Sequence, residues 1–78
     1  MKKLSQLKVK QTAVITKIIC NDELKQRFYS LGIIKGANII IEEVSLAKNT
    51  IALVVDGTSV ALRLEEAKNI EVELVETN

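Results

Sequence analysis

The stretch Thr50-Ile51-Ala52-Leu53-Val54-Val55-Asp56-Gly57-Thr58-Ser59-Val60-Ala61-Leu62-Arg63-Leu64 decides the fold class. Two apolar runs flank Asp56-Gly57. Asp-Gly suits the two left-handed residues of a type I′ turn, whose twist matches that of paired strands. The spacing predicts a hairpin of strands Thr50–Val55 and Thr58–Leu64. In the second strand Val60, Leu62 and Leu64 point one way, while Ser59, Ala61 and Arg63 point the other. An isolated hairpin is marginally stable in water, so the rest of the chain must supply further strands and a shared core.

Upstream, Ser45 to Asn49 reads as a loop of about five residues, and Ala37 to Val44 as a strand built on Ile39-Ile40-Ile41. Ile33-Ile34-Lys35-Gly36 is a connector in which Gly36 can supply the positive φ of a type II turn. Asn21-Asp22-Glu23 is a helix start, with a capping side chain and two acids at the positive end of the dipole. Leu24, Phe28 and Leu31 follow at i, i+4 and i+7 as one buried stripe, and Gly32 stands where a helix commonly ends. Thr12 to Ile19 is the first strand: Val14 and Ile18 lie with Thr12 and Thr16, while Ala13, Ile15 and Ile19 lie on the opposite face. Apolar residues on both faces suit a small barrel better than an open sheet. Leu4-Ser5-Gln6-Leu7 is a single turn leading into it.

Downstream, Glu65 to Asn69 forms a helical turn. Ile70, Val72 and Leu74 alternate with Glu71 and Glu73 in a last strand, Ile70 to Val75, and Glu76-Thr77-Asn78 is a frayed tail. The sum is a mostly β chain, a single domain over 1–78. Its expected form is a small SH3-like barrel of about five strands with one α-helix near residues 22–31 and a short helical turn near 65–69.

Composition narrows the function. An apolar fraction of 47% excludes disorder. Eleven basic and ten acidic side chains give +1, which argues against nucleic acid as a partner. The absence of His and a single Cys exclude a zinc cage or a disulfide framework. No apolar run approaches the roughly 18–20 residues that span a bilayer, so direct membrane insertion is not expected. Behind Met1-Lys2-Lys3, the polar residues Ser5, Gln6, Lys8 and Lys10 interrupt any signal-peptide core. A cytoplasmic location is expected.

The inventory also argues against an enzyme. Without His, a general base must be a carboxylate, Lys, Tyr or thiolate. Asp22-Glu23, Glu42-Glu43 and Glu65-Glu66 are sequence neighbours, which strands and helices splay apart instead of forming a dyad. Gly32 and Gly36 lack the following Gly-Lys-Ser/Thr of a phosphate loop. Cys20, just before the helix start, has no resolving partner and reads as an ordinary small apolar residue. No catalytic, cofactor or metal residues are expected.

Binding remains. Residues 1–36 carry eight basic and two acidic side chains, and residues 37–78 carry three basic and eight acidic ones. If that division survives folding, Lys17, Lys25, Arg27 and Lys35 form a basic rim near the helix, suited to an acidic protein surface. Tyr29 follows Phe28 and so turns about 100° from the buried stripe, leaving an aromatic ring partly exposed beside Arg27. Lys25, Arg27, Tyr29 and Lys35 are the candidate partner-binding residues.

Leu24-Lys25-Gln26-Arg27-Phe28-Tyr29-Ser30-Leu31-Gly32-Ile33-Ile34-Lys35-Gly36 resembles the central motif of the FeoA domain, a basic helix ending in Leu-Gly-Ile before a Pro-Gly turn. Leu4-Ser5-Gln6-Leu7 and the block from Leu62 to Val72 resemble its opening and close, so the likeness covers nearly the whole chain. The resemblance implies an SH3-like barrel and a small cytoplasmic protein of ferrous iron uptake. Its implied partner is the membrane transporter FeoB, which it would dock on and modulate. The same domain closes iron-dependent repressors, where it serves as an interaction module. Leu24, Arg27, Leu31, Gly32, Ile33 and Gly36 are the motif positions carried onto this chain; most fit the buried stripe, which leaves Arg27 as the functional one. Two departures stand out: Lys35 replaces the family's usual Pro and Lys10 its usual Gly. The stretch Ser45 to Thr50 also replaces a typical Ala-Pro-Leu-Gly-Asp-Pro. A nucleic-acid-binding barrel or a domain like that of the iron-dependent regulators is the alternative reading. The strand edges of so small a barrel also make weak self-association an expectation.

Overall fold

The computed structural model describes residues 2–75. In chain order they form β1 (Lys2–Lys3), a 3₁₀ turn (Leu4–Gln6), β2 (Thr12–Ile18), α1 (Asp22–Ser30), β3 (Asn38–Ser45) and β4 (Thr50–Val55). β5 (Thr58–Arg63), α2 (Leu64–Ala67) and β6 (Ile70–Leu74) complete the fold. One antiparallel sheet runs in the order β1-β6-β2-β3-β4-β5. The predicted tail, Glu76-Thr77-Asn78, lies outside the described residues.

The β4–β5 hairpin forms as the sequence requires. Asp56 and Gly57 have φ of 46° and 89°, and pairing runs unbroken from Val55–Thr58 to Thr50–Arg63. Each strand from β2 onward sends alternate residues inward: Ala13 and Ile15, Ile39 and Ile41, Ile51 and Leu53, Val60 and Leu62, Ile70 and Val72 are all buried. One nine-residue helix is too small to cover six strands, so the sheet curls and its inner face packs largely on itself. The result is a mostly β, SH3-like fold.

Two bulges make the curl, and they explain the confusing polarity of β2. Pairing with β6 shifts register between Ile15 and Lys17, so Thr16 is the extra residue. Beyond it, Ile18 packs against the core that Ala13 and Ile15 also face, while Ile19 is exposed. The two apolar faces expected for this strand are therefore one inner face whose parity changes at a bulge. β3 repeats the device: its register with β4 shifts between Ile41 and Glu43, which brings Val44 toward the core two places beyond an exposed Glu42.

Among the described residues there are six strands, not the expected five, because β1 is only two residues and carries no alternation to read. α1 stops at Ser30, one residue short of the expected end. Its C-terminus is closed by Ile33 N–H donating to the Phe28 carbonyl at 2.8 Å and Gly32 N–H to that of Tyr29 at 3.0 Å, with Gly32 at φ +83°. That is a Schellman closure, and its hydrophobic clasp is the buried pair Phe28 and Ile33. At the other end the Asn21 side chain accepts from Leu24 N–H at 2.9 Å, as expected of the cap. α2 spans Leu64–Ala67, not 65–69, because the Glu66 carboxylate accepts the Arg63 N–H at 3.0 Å and starts the turn earlier.

Candidate functional site

The site grows from the bulge in β2. Ile15 exchanges hydrogen bonds with the connector after α1: Gly36 N–H donates to the Ile15 carbonyl at 2.7 Å, and Ile15 N–H to that of Ala37 at 3.0 Å. Ala37 N–H also closes the Ile34–Ala37 turn onto the Ile34 carbonyl at 3.1 Å, with Gly36 at φ +92°. This is the type II turn expected there, and it carries Lys35 at its second position. The bulge and the turn thus bring Lys17 and Lys35 to one place from distant parts of the chain.

α1 completes the site. Lys25 and Tyr29 are four residues apart and share a helix face, turned away from Leu24 and Phe28. Their side chains are neighbours, the Lys25 ammonium lying 5.9 Å from the Tyr29 ring centroid. Together Thr16, Lys17, Ile18, Lys25, Tyr29 and Lys35 line a groove of about 360 Å³. Tyr29 is 52% exposed, so its ring is a wall of the groove rather than part of the core. No carboxylate lines it, and none of the three lysines is in an ion pair among the described residues. Thr16 is tied down by its hydroxyl, which donates to the Glu71 carbonyl at 3.2 Å.

Of the four residues expected to bind a partner, three meet here: Lys25, Tyr29 and Lys35. Arg27 does not. It is two residues from both Lys25 and Tyr29, hence about 200° around the helix, and its guanidinium is paired with the Glu66 carboxylate. Lys17, placed by the sequence on a basic rim, joins the groove because the bulge turns it outward.

The division into a basic and an acidic half does not survive folding intact, even beside the groove. β6, from the acidic half, lies between β1 and β2, with Glu71 opposite Lys3 on one side and Lys17 on the other. What persists is the local patch at the groove. Among the described residues no three His, Cys, Asp or Glu side chains gather, and no helix is long and apolar enough to cross a membrane. A second groove, of about 380 Å³, crosses the outer face of β3 between Thr12, Ile40, Val54 and Val75 and is almost wholly apolar. No sequence signal pointed to it, because the outer face of a strand shows apolar residues singly and the row exists only across strands.

Comparison with known proteins agrees with this fold and with the resemblance. The FeoA domain model matches residues 2–74. A protein of Campylobacter jejuni named Fe(2+) transport protein A is 42% identical over 72 residues, which is 92% of this chain and 97% of that one. Among solved structures, a FeoA-like protein from Clostridium acetobutylicum superposes with a TM-score of 0.84 at 30% identity, over 100% of this chain and 94% of that one. IdeR of T. acidophilum superposes with a TM-score of 0.83 at 28% identity, but 95% of this chain corresponds to only 34% of that protein. The match runs through both ends of the sheet and the whole of α1, and the chain belongs to the FeoA domain family.

Proposed function

We propose that this chain is a non-enzymatic, cytoplasmic accessory protein of ferrous iron transport, and that it acts by docking on the cytoplasmic side of the FeoB transporter. The observation that carries the reading is the extent of the family match, residues 2–74, with a relative named for Fe(2+) transport aligned over almost its entire length. The groove supports it. A partly exposed Tyr flanked by Lys17, Lys25 and Lys35 is the composition of a protein-binding hot spot with electrostatic steering. A chain with no His and one Cys has little of the equipment of acid–base catalysis, in keeping with a docking role.

The test is a titration of ¹⁵N-labelled protein with the transporter's cytoplasmic G-protein domain. Amide shifts are expected within residues 16–18 and 24–36. No perturbation anywhere at high partner concentration would sink the proposal. The alternative, an interaction module of the kind found in metal-dependent regulators, is favoured by the IdeR likeness. It predicts that the transporter domain leaves the spectrum unchanged.

A further inference from the structure

We infer that the groove at the β2 bulge takes an acidic, amphipathic peptide segment, with carboxylates on Lys17, Lys25 and Lys35 and one apolar side chain against Tyr29. The inference deepens the docking proposal by naming the chemistry of the partner's contact and rests on it only for the partner's identity. Three observations carry it. First, the three lysines come from three different elements, β2, α1 and the Ile34–Ala37 turn, and line one groove; among the described residues none is ion-paired, although Glu71 stands opposite Lys17 across the β2–β6 pairing. Arg27, on another face of α1, is paired with Glu66 and is not part of this set. Second, apolar surface lies among the lysines: Ile18 and Tyr29 line the groove beside Thr16, and their neighbours Ile19 and Ile34 are 53% and 45% exposed. Third, the Lys25 ammonium lies 5.9 Å from the Tyr29 ring centroid, so a carboxylate and an apolar side chain of one segment can reach the cation and the ring together.

The mixture decides between occupants. A free phosphate or polyphosphate is best held by converging backbone N–H groups or by the forked donors of arginine. Here the lining offers flexible lysines separated by apolar surface, and Arg27 faces away. An acidic segment with an apolar side chain uses both parts of the lining, whereas a phosphate uses one.

The probe is an acetylated, amidated decapeptide, Glu-Glu-Leu-Glu-Asp-Phe-Glu-Glu-Leu-Asp, added to the ¹⁵N-labelled full chain at low salt. Its Gln/Asn counterpart and sodium tripolyphosphate run as parallel arms. The acidic peptide is expected to shift the amides of residues 16–18, 25, 29 and 35 and to lose affinity as salt rises. Each of Lys17→Gln, Lys25→Gln and Lys35→Gln should weaken it about two- to fivefold, and the triple variant on the order of tenfold or more. An unchanged fingerprint elsewhere in the triple variant's spectrum establishes that it is folded. Shifts with tripolyphosphate but not with the peptide overturn the inference, as do equal shifts with the Gln/Asn peptide or none at these residues. If the transporter domain binds through another surface while the peptide is silent, the inference fails and the docking proposal stands. If the peptide binds here and the transporter domain does not, the docking proposal fails and the groove stands.

Discussion

Arg27 and Glu66, 39 residues apart, join the two helices of the fold. One Glu66 oxygen takes the Arg27 guanidinium and the other accepts the Arg63 N–H that opens α2. The Arg27 side chain is 49% exposed and that of Glu66 only 13%, so the carboxylate gives up most of its water and needs both donors. α2 otherwise packs on the 3₁₀ turn, β4 and β5. The pair is therefore a tie between α1 and the end of the chain that packs beside the N-terminal turn. It accounts for a basic residue in the family motif without assigning that residue to a partner.

Arg27→Ala should cost about 0.5–1 kcal/mol, as expected for a half-exposed partner. Glu66→Ala should cost more, about 1–2 kcal/mol, because it also removes the acceptor at the start of α2. Glu66→Gln keeps an oxygen for the Arg63 N–H and isolates the charge. In a double-mutant cycle read by urea unfolding, Arg27 and Glu66 should couple by about 0.2–1 kcal/mol. Strict additivity would mean that the two side chains do not interact in solution.

The end of α1 depends on backbone, not space. A Cβ on Gly32 would meet Val55 Cγ1 at 4.0 Å, an ordinary contact, but the residue sits at φ +83°. Gly32→Ala should therefore destabilise by about 1–2 kcal/mol, and Gly32→Asn by less, since Asn tolerates the left-handed region. Equal losses for the two variants would point to crowding in place of conformation.

The two departures from the family pattern can be reversed to advantage. Lys10 has φ 75° in the turn closed by Gln11 N–H on the Lys8 carbonyl, so the family's Gly is the residue that backbone prefers. Lys10→Gly should stabilise by roughly 0.5 kcal/mol, the relief of a left-handed side chain less the extra chain entropy. Lys35 is the second residue of the type II turn, and among the described residues its N–H donates to no backbone carbonyl. Lys35→Pro should add about 0.4–1 kcal/mol by narrowing the unfolded ensemble. A fall in thermal midpoint for either variant would contradict the turn geometry.

Local signals carried the hairpin and the helix. Asp56-Gly57 announces its own turn, and Asn21, the Leu24–Phe28–Leu31 stripe and Gly32 announce both ends of α1 within a dozen residues. The bulges at Thr16 and Glu42 are silent, because neither residue type marks an extra position in a strand. Without the first bulge, Lys17 cannot be assigned to the groove. The Arg27–Glu66 tie is equally silent, since no periodicity links residues so far apart. The sequence thus named most of the groove's lysines while also offering Arg27, and only the three-dimensional placement separates them.

Phe28 and Tyr29 are adjacent aromatics with opposite duties, which gives the sharpest separation of fold from binding. Phe28 is fully buried at the centre of the core and forms the inner half of the Schellman clasp with Ile33. Phe28→Ala should cost about 3–5 kcal/mol, a large share of the roughly 5–15 kcal/mol of a typical domain, and lower the unfolding midpoint sharply. Tyr29 is 52% exposed, so Tyr29→Ala should change stability by less than about 1 kcal/mol. Its effect should fall on association, where loss of an anchoring ring costs more than about 1 kcal/mol, roughly a fivefold or greater rise in Kd for the transporter domain. Tyr29→Phe keeps the ring and should retain most of the affinity. Unfolding curves and calorimetric titration on the same three variants check this directly. A Tyr29→Ala variant that unfolds with Phe28→Ala, or binds as tightly as the parent, would remove Tyr29 from the docking face.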